Sequence, residues 1–172
     1  FFYKGQAVAI VGGGDTAAEE ATYLANICSK VTMLVRKSEM RASKAMQHRV
    51  FNTSNLEILF NYETKSINGE PGEIGVQSVT AINNQDNTEI TIPASGFFVA
   101  IGHKPNTDLF KGQLDMDETG YIKTNGKTTK TNIPGVFASG DVQDKEYRQA
   151  VTAAGTGCMA ALDLSLIHIS EP

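Results

Sequence analysis

The chain has 172 residues, 41% hydrophobic and 20% charged, which is one domain or one domain and part of another, and apolar enough to bury a core. Its 15 basic and 19 acidic residues give a formal charge of −4, which argues against a nucleic-acid or membrane-surface binder. No apolar run reads as approaching the roughly 20 residues that span a bilayer and no charged-then-apolar leader opens the chain, so a soluble, cytoplasmic α/β protein is expected.

Residues 6–11 form a short apolar run that stops at Gly12-Gly13-Gly14, the pattern of a strand buried on both faces of a parallel sheet. A helix follows, with Ala17, Ala21, Leu24 and Cys28 on one face and Glu19 and Glu20 in its first turns. Residues 30–35 make a second β-branched strand, completing a βαβ unit. A helix is expected over 41–51, with Ala42, Ala45, Met46 and Val50 on one side, and a strand over 56–60. The period then changes to two across 76–92, around a polar turn at 83–87, which predicts an antiparallel hairpin. A strand over 97–101 ends in the turn cluster from Gly102 to Asn106, and a domain boundary is placed there. Beyond it, a short buried strand is expected over 133–138, stopping at Ser139-Gly140-Asp141, and a helix over about 148–162. The last nine residues, 164–172, match the in-frame translation of a common transposon-based sequencing adapter and are set aside from fold reasoning. Both termini are therefore expected to be breaks in a longer gene.

Gly12, Gly14 and Ala17 fit GxGxxA between a strand and a helix. Gly12 permits the tight turn, Gly14 lets a pyrophosphate approach the backbone, and Ala17 allows helix and strand to pack closely. After the second strand, where an NAD site usually places a carboxylate, stand Arg36, Lys37 and Arg41, with Glu39 too late to serve. Such a cluster suits a 2′-phosphate, and NADPH is the expected dinucleotide. Asp141, at a strand's end, could accept from a ribityl chain, and Arg148, Gln149 and Ala150 could face a flavin. His103, beside a proline, reads as structural, and His48 belongs to a polar helix face. The two cysteines, Cys28 and Cys158, form no CxxC pair and both read as packed in the core. No metal-ligand cluster, carboxylate pair or Ser-His-Asp set stands out.

Together these segments resemble the low-molecular-weight thioredoxin reductases, of the class II pyridine nucleotide-disulfide oxidoreductases. The run from Val11 to Ala21 is similar to the family's NADPH motif. The run from Leu34 to Ala42 is similar to its 2′-phosphate motif, HRRxxxR, with Val35 in place of the His and Lys37 in place of the second Arg. The segments 100–106, 140–150 and 154–163 match as well, so the resemblance covers residues 1–163. It implies an NADPH-binding Rossmann-like domain at 1–103 (a parallel sheet with helices, plus an antiparallel hairpin) and the C-terminal portion of an FAD-binding domain at 104–163. In the family a redox-active CxxC followed by Asp-Gly precedes an aromatic pair like Phe1-Phe2, so the catalytic dithiol is expected just upstream.

The resemblance further implies that Gly12, Gly14, Asp15 and Thr16 hold the pyrophosphate, that Arg36, Lys37 and Arg41 hold the 2′-phosphate, and that Asp141, Arg148, Gln149 and Ala150 touch FAD. The implied activity passes electrons from NADPH to FAD, to the CxxC disulfide and on to thioredoxin, in a homodimeric parent. The isolated chain is expected to be inert. Two alternatives stay open from the residues: a ferredoxin- or flavodoxin-NADP reductase-like flavoprotein without the dithiol, and a nucleotide-binding module without electron transfer.

Overall fold

A computed structural model describes residues 1–70, 72 and 75–170, the last three by backbone only. The chain divides into two compact units, residues 1–102 and 103–172.

In the first unit β1 (Ala7–Val11), β2 (Lys30–Val35) and β3 (Leu56–Phe60) run parallel with α1 (Asp15–Ala25) and α2 (Lys44–Phe51) between them. The antiparallel strands β4 (Tyr62–Asn68), β5 (Ser78–Asn83) and β6 (Glu89–Pro93) follow, and β7 (Gly96–Val99) returns to pair parallel with β1. The parallel sheet therefore has the order β3-β2-β1-β7, and its direction of growth reverses between β1 and β7. Ligands of open α/β sheets bind at such a reversal, outside the carboxyl ends of the strands.

Strand alternation sorts the core onto two faces. Val8, Ile10, Val31, Met33 and Val35 pack with Ala17, Ala18, Ala21 and Leu24 of α1 and Val50 of α2. Ala9 and Leu34, on the opposite face, pack with Val79, Ala81 and Ile92 of the antiparallel sheet. Apolar residues thus meet cover on both sides of β1 and β2, which is why these strands read as continuous hydrophobic runs. Cys28 is buried, as expected, but lies beyond α1, which ends at Ala25, rather than on its apolar face.

Two expectations for this unit change. The helix expected from residue 41 starts at Lys44, with Ser43 as N-cap accepting from the Met46 N–H at 3.4 Å. Residues 41–43 are drawn out of the helix because their N–H groups bond to the glycine turn. The expected hairpin, β5 and β6, belongs to a three-stranded sheet of order β4-β5-β6, whose added strand β4 is mostly exposed and polar and so carries little hydrophobic period. Asn61, with φ of 64°, takes the left-handed turn that carries the chain from β3 into β4.

The second unit is loop-rich. Residues 133–138 form no strand: Pro134 has no N–H, Gly135 turns at φ of 79°, and the local pairing is a single bridge between Lys130 and Phe137. A 3₁₀ turn spans Gly140–Val142, and α3 covers Ala150–Ser170. Arg148 is excluded from that helix by its φ of 49°. Asp144 accepts from the N–H groups of Glu146, Tyr147 and Arg148 and from the Thr152 hydroxyl, tying the turn to the helix. Asp117 organises a second turn. The Thr119 hydroxyl, then the Tyr121 and Thr119 N–H groups, outweigh desolvation and hold its carboxyl down at about 2.

The helix α3 corrects the reading of its apolar content. Ala150–Ile167 has a mean hydropathy of 1.5 over 18 residues, long and apolar enough to cross a membrane by length and composition. Ala and Gly between the larger residues disguise the run in sequence. Its polar residues nevertheless point into the unit: Thr156 accepts from the Gly140 N–H at 2.9 Å, and Asp163 accepts from the Thr129 hydroxyl at 2.7 Å. Cys158, expected to be packed, is exposed on this helix. The helix also continues through the residues set aside as adapter, of which Glu171 and Pro172 lie outside the described residues. Leu164 and Leu166 are 45% and 62% exposed there. Deleting residues 164–172 is expected to leave the melting temperature unchanged within error, because Thr156 and Asp163, whose bonds tie α3 to the unit, are kept; a clear fall in thermal denaturation would show that the added turns support the unit.

Candidate nucleotide site

The carboxyl end of β1 runs directly into Gly12, whose φ of 149° lies outside the range of most side-chain-bearing residues. A Cβ at Gly12 would overlap the Ala100 carbonyl oxygen, just past β7, and would lie 2.7 Å from the Ala17 Cβ on α1. Glycine is needed here because strand, helix and returning strand converge. At Gly14 the reverse holds: a Cβ would meet nothing within 4 Å. This open position precedes α1, whose first-turn N–H groups have no carbonyl within the helix to bond. An anion can approach the backbone there.

Beside the turn lies a cleft of about 580 Å³. Gly12, Gly13, Arg36, Lys37 and Arg41 line it, with Val11 and Val35 from the strand ends and Val99 and Ile101 from β7 and beyond. The structure thus brings together Gly12 and all three predicted cations. All three cations are exposed, and none makes an ion pair or a side-chain hydrogen bond among the described residues. Gly14, Asp15 and Thr16 sit at the helix start outside the cleft lining. The Asp15 carboxylate accepts from the Ser43 N–H at 2.9 Å, and that amide and the Ser43 hydroxyl hold it below the usual carboxylate range.

Sequence reasoning missed several contributors. The Gly13 carbonyl accepts from the Arg41 and Ala42 N–H groups at 2.7 and 3.0 Å, so the glycine turn and the basic loop are bonded to each other. The β4 end adds Tyr62, Glu63 and Thr64 to the cleft, and the buried Thr64 hydroxyl has no hydrogen-bond partner among the described residues. The Asn84 side-chain amide donates to the Arg36 carbonyl at 2.8 Å, bracing the basic loop from the hairpin turn. No signal in the sequence announces these tertiary bonds.

In the second unit Asp141 is exposed within the 3₁₀ turn, its carboxylate available to hydroxyl donors. The Arg148 guanidinium donates to the Tyr121 hydroxyl at 3.3 Å, and the Gln149 side chain donates to the Tyr147 carbonyl at 3.1 Å. Ala150 opens α3. Burial pushes the pKa of the Cys28 thiol up, which disfavours the reactive thiolate.

Residues 3–157 match the pyridine nucleotide-disulphide oxidoreductase family. The chain belongs to that family. A thioredoxin reductase of Dictyostelium discoideum is 55% identical over 94% of the chain and 50% of its own length, and one of Streptomyces clavuligerus is 49% identical over 95% and 50%. Among solved structures, the thioredoxin reductase of Streptococcus pyogenes superposes with a TM-score of 0.79 at 34% identity, over 98% of this chain and 54% of that one. That of Giardia duodenalis gives 0.73 at 44% identity, over 95% and 53%. The chain thus spans about half the length of the relatives it matches, and the resemblance to low-molecular-weight thioredoxin reductases holds across this family member.

The closed Gly12 and the open Gly14 separate by role. Gly12→Ala is expected to destabilise the chain by about 2 kcal/mol or more in urea unfolding, since a backbone oxygen blocks the new methyl. Gly14→Ala should cost at most about 1 kcal/mol while weakening nucleotide binding in a calorimetric titration. Equal stability losses at the two positions would contradict this division.

Proposed function

We propose that residues 1–103 are the NADPH-binding domain, and residues 104–163 the C-terminal portion of the FAD-binding domain, of an NADPH-dependent thioredoxin-disulfide reductase. Residues 164–172 are adapter translation in this reading. The observation that carries it is the set of unpaired cations Arg36, Lys37 and Arg41, lining one cleft with Gly12 where the parallel sheet reverses direction. The three cations outnumber the two carboxylates of the same cleft, Glu39 and Glu63, and repel one another; an anion such as a 2′-phosphate relieves that repulsion.

When bound, NADPH supplies a hydride and FAD accepts it and passes the electrons to a disulfide. The chain's own residues bind and orient. Gly12 and Gly14 keep the turn clear, and the backbone of Asp15 and Thr16 donates to the pyrophosphate. Arg36, Lys37 and Arg41 hold the 2′-phosphate. Asp141 accepts from ribityl hydroxyls, and Arg148, Gln149 and Ala150 border the flavin. The partners are thioredoxin and a second copy of the whole protein, and the setting is cytoplasmic.

The family membership and the names of the relatives support this reading over a ferredoxin- or flavodoxin-NADP reductase or a non-catalytic module. The 172 residues contain two cysteines, one buried and one exposed, and neither belongs to a CxxC. The dithiol must come from elsewhere in the whole protein. Purified chain with added FAD, NADPH and oxidised thioredoxin is therefore expected to show no turnover in NADPH absorbance; appreciable oxidation would overturn the assigned roles.

Coenzyme choice is the direct test of the site. Wild type is expected to bind NADPH more tightly than NADH, and Arg36→Ala should lose about 1.5–3 kcal/mol of NADPH affinity with little change for NADH. Equal affinities of the wild type for the two nucleotides would refute the assignment.

A further inference from the structure

Three consecutive N–H groups, those of Arg41, Ala42 and Ser43, point back at the glycine turn. The first two donate to the Gly13 carbonyl at 2.7 and 3.0 Å, and the third donates to Asp15 Oδ1 at 2.9 Å, across 28 residues of chain. From the other side the Gln47 side-chain amide donates to the carbonyls of Ala42 and Met40 at 2.7 and 3.3 Å. The side chains of Met40 and Ala42 are buried in the core, each 5% exposed, while Arg41 between them is exposed and lines the cleft. Burial of its two neighbours sets which way Arg41 points. The Gly13 and Asp15 bonds set how far it stands from the start of α1.

The location of Asp15 is otherwise awkward. It is the first residue of α1, at the end of the helix where an anion would dock, and a carboxylate facing a pyrophosphate would repel it. Its carboxylate is instead spent on the Ser43 N–H, and Asp15 does not line the cleft. We infer that Asp15 is a positioning residue for coenzyme selectivity, which, given the NADPH reading above, ties the basic loop to the helix start so that Arg41 meets the 2′-phosphate of a ligand whose pyrophosphate lies on the glycine turn. It differs in kind from a pyrophosphate ligand, because its side chain acts through Ser43 and Arg41. A residue that only braced α2 would change stability and leave the ratio of NADPH to NADH affinity untouched.

The test is that ratio, measured by calorimetric titration of both nucleotides on the 172-residue chain. Asp15→Ala is expected to lower it by about threefold to tenfold, a partial loss of the Arg41 contact, chiefly through weaker NADPH binding. Asp15→Asn keeps an acceptor oxygen for Ser43 and should retain the wild-type ratio. Ser43→Pro removes the N–H donor at a residue whose φ of −56° the proline ring adopts, and should lower the ratio as Asp15→Ala does. Ser43→Ala keeps the N–H, the larger of the two Ser43 contributions at Asp15, while losing the hydroxyl, and should lower it clearly less than Ser43→Pro. A wild type without NADPH preference would sink the underlying site reading. A wild type with that preference, whose ratio survives both Asp15→Ala and Ser43→Pro, would overturn the positioning role alone. If Asp15→Ala does not fold, the comparison of Ser43→Pro with Ser43→Ala decides.

Discussion

Gly12 is the point at which β1, α1 and the chain beyond β7 come together with no room for a side chain. The helix can leave the strand and pack its Ala17, Ala18 and Ala21 face against the sheet because the turn is this tight. The same closeness brings the end of β7 beside the end of β1, and the sheet reverses there. The core and the cleft thus share one steric constraint.

A second constraint is electrostatic. Lys30, Lys65, Lys104 and Lys145 each pair with a carboxylate. Arg36, Lys37 and Arg41 have no such partner among the described residues, although Glu39 stands in the same loop. Backbone bonds hold their loop in place: Asn61 and Asn84 bond to the Lys37 and Arg36 carbonyls, and Gly13 accepts from Arg41 and Ala42. Fixing the backbone while leaving the charges unneutralised is what preorganisation for an anion requires.

Legibility in sequence followed the range of the interactions. Strands β1, β2 and β3 and helix α1 were readable because both sheet faces are covered and the helix period is clear, and the glycine motif was readable because its local geometry dictates its residues. The polar edge strand β4 was not, since its side chains face solvent. The late start of α2 was hidden for another reason: residues 41–43 have helical composition, and their bonds to Gly13, Asp15 and the Gln47 side chain keep them out of the helix. The second unit was least legible. Its 133–138 segment is apolar enough for a strand, but Pro134 and Gly135 turn it, and the exposure of Cys158 depends on which face of α3 docks. The three cations were found as a charge cluster, yet that they share one cleft with Gly12 is a tertiary fact.

The claim that the glycine turn and the basic loop form one bonded receptor for a 2′-phosphorylated nucleotide is tested most directly without the nicotinamide. Amide NMR titrations with 2′,5′-ADP and with 5′-AMP, at low and high salt, report affinity and location together. The expected result is tighter binding of 2′,5′-ADP, with its advantage shrinking as salt rises and the Gly13, Arg36, Lys37 and Arg41 signals moving together along one saturation curve. Equal affinities for the two nucleotides, or shifts that leave the basic loop unmoved, would contradict it.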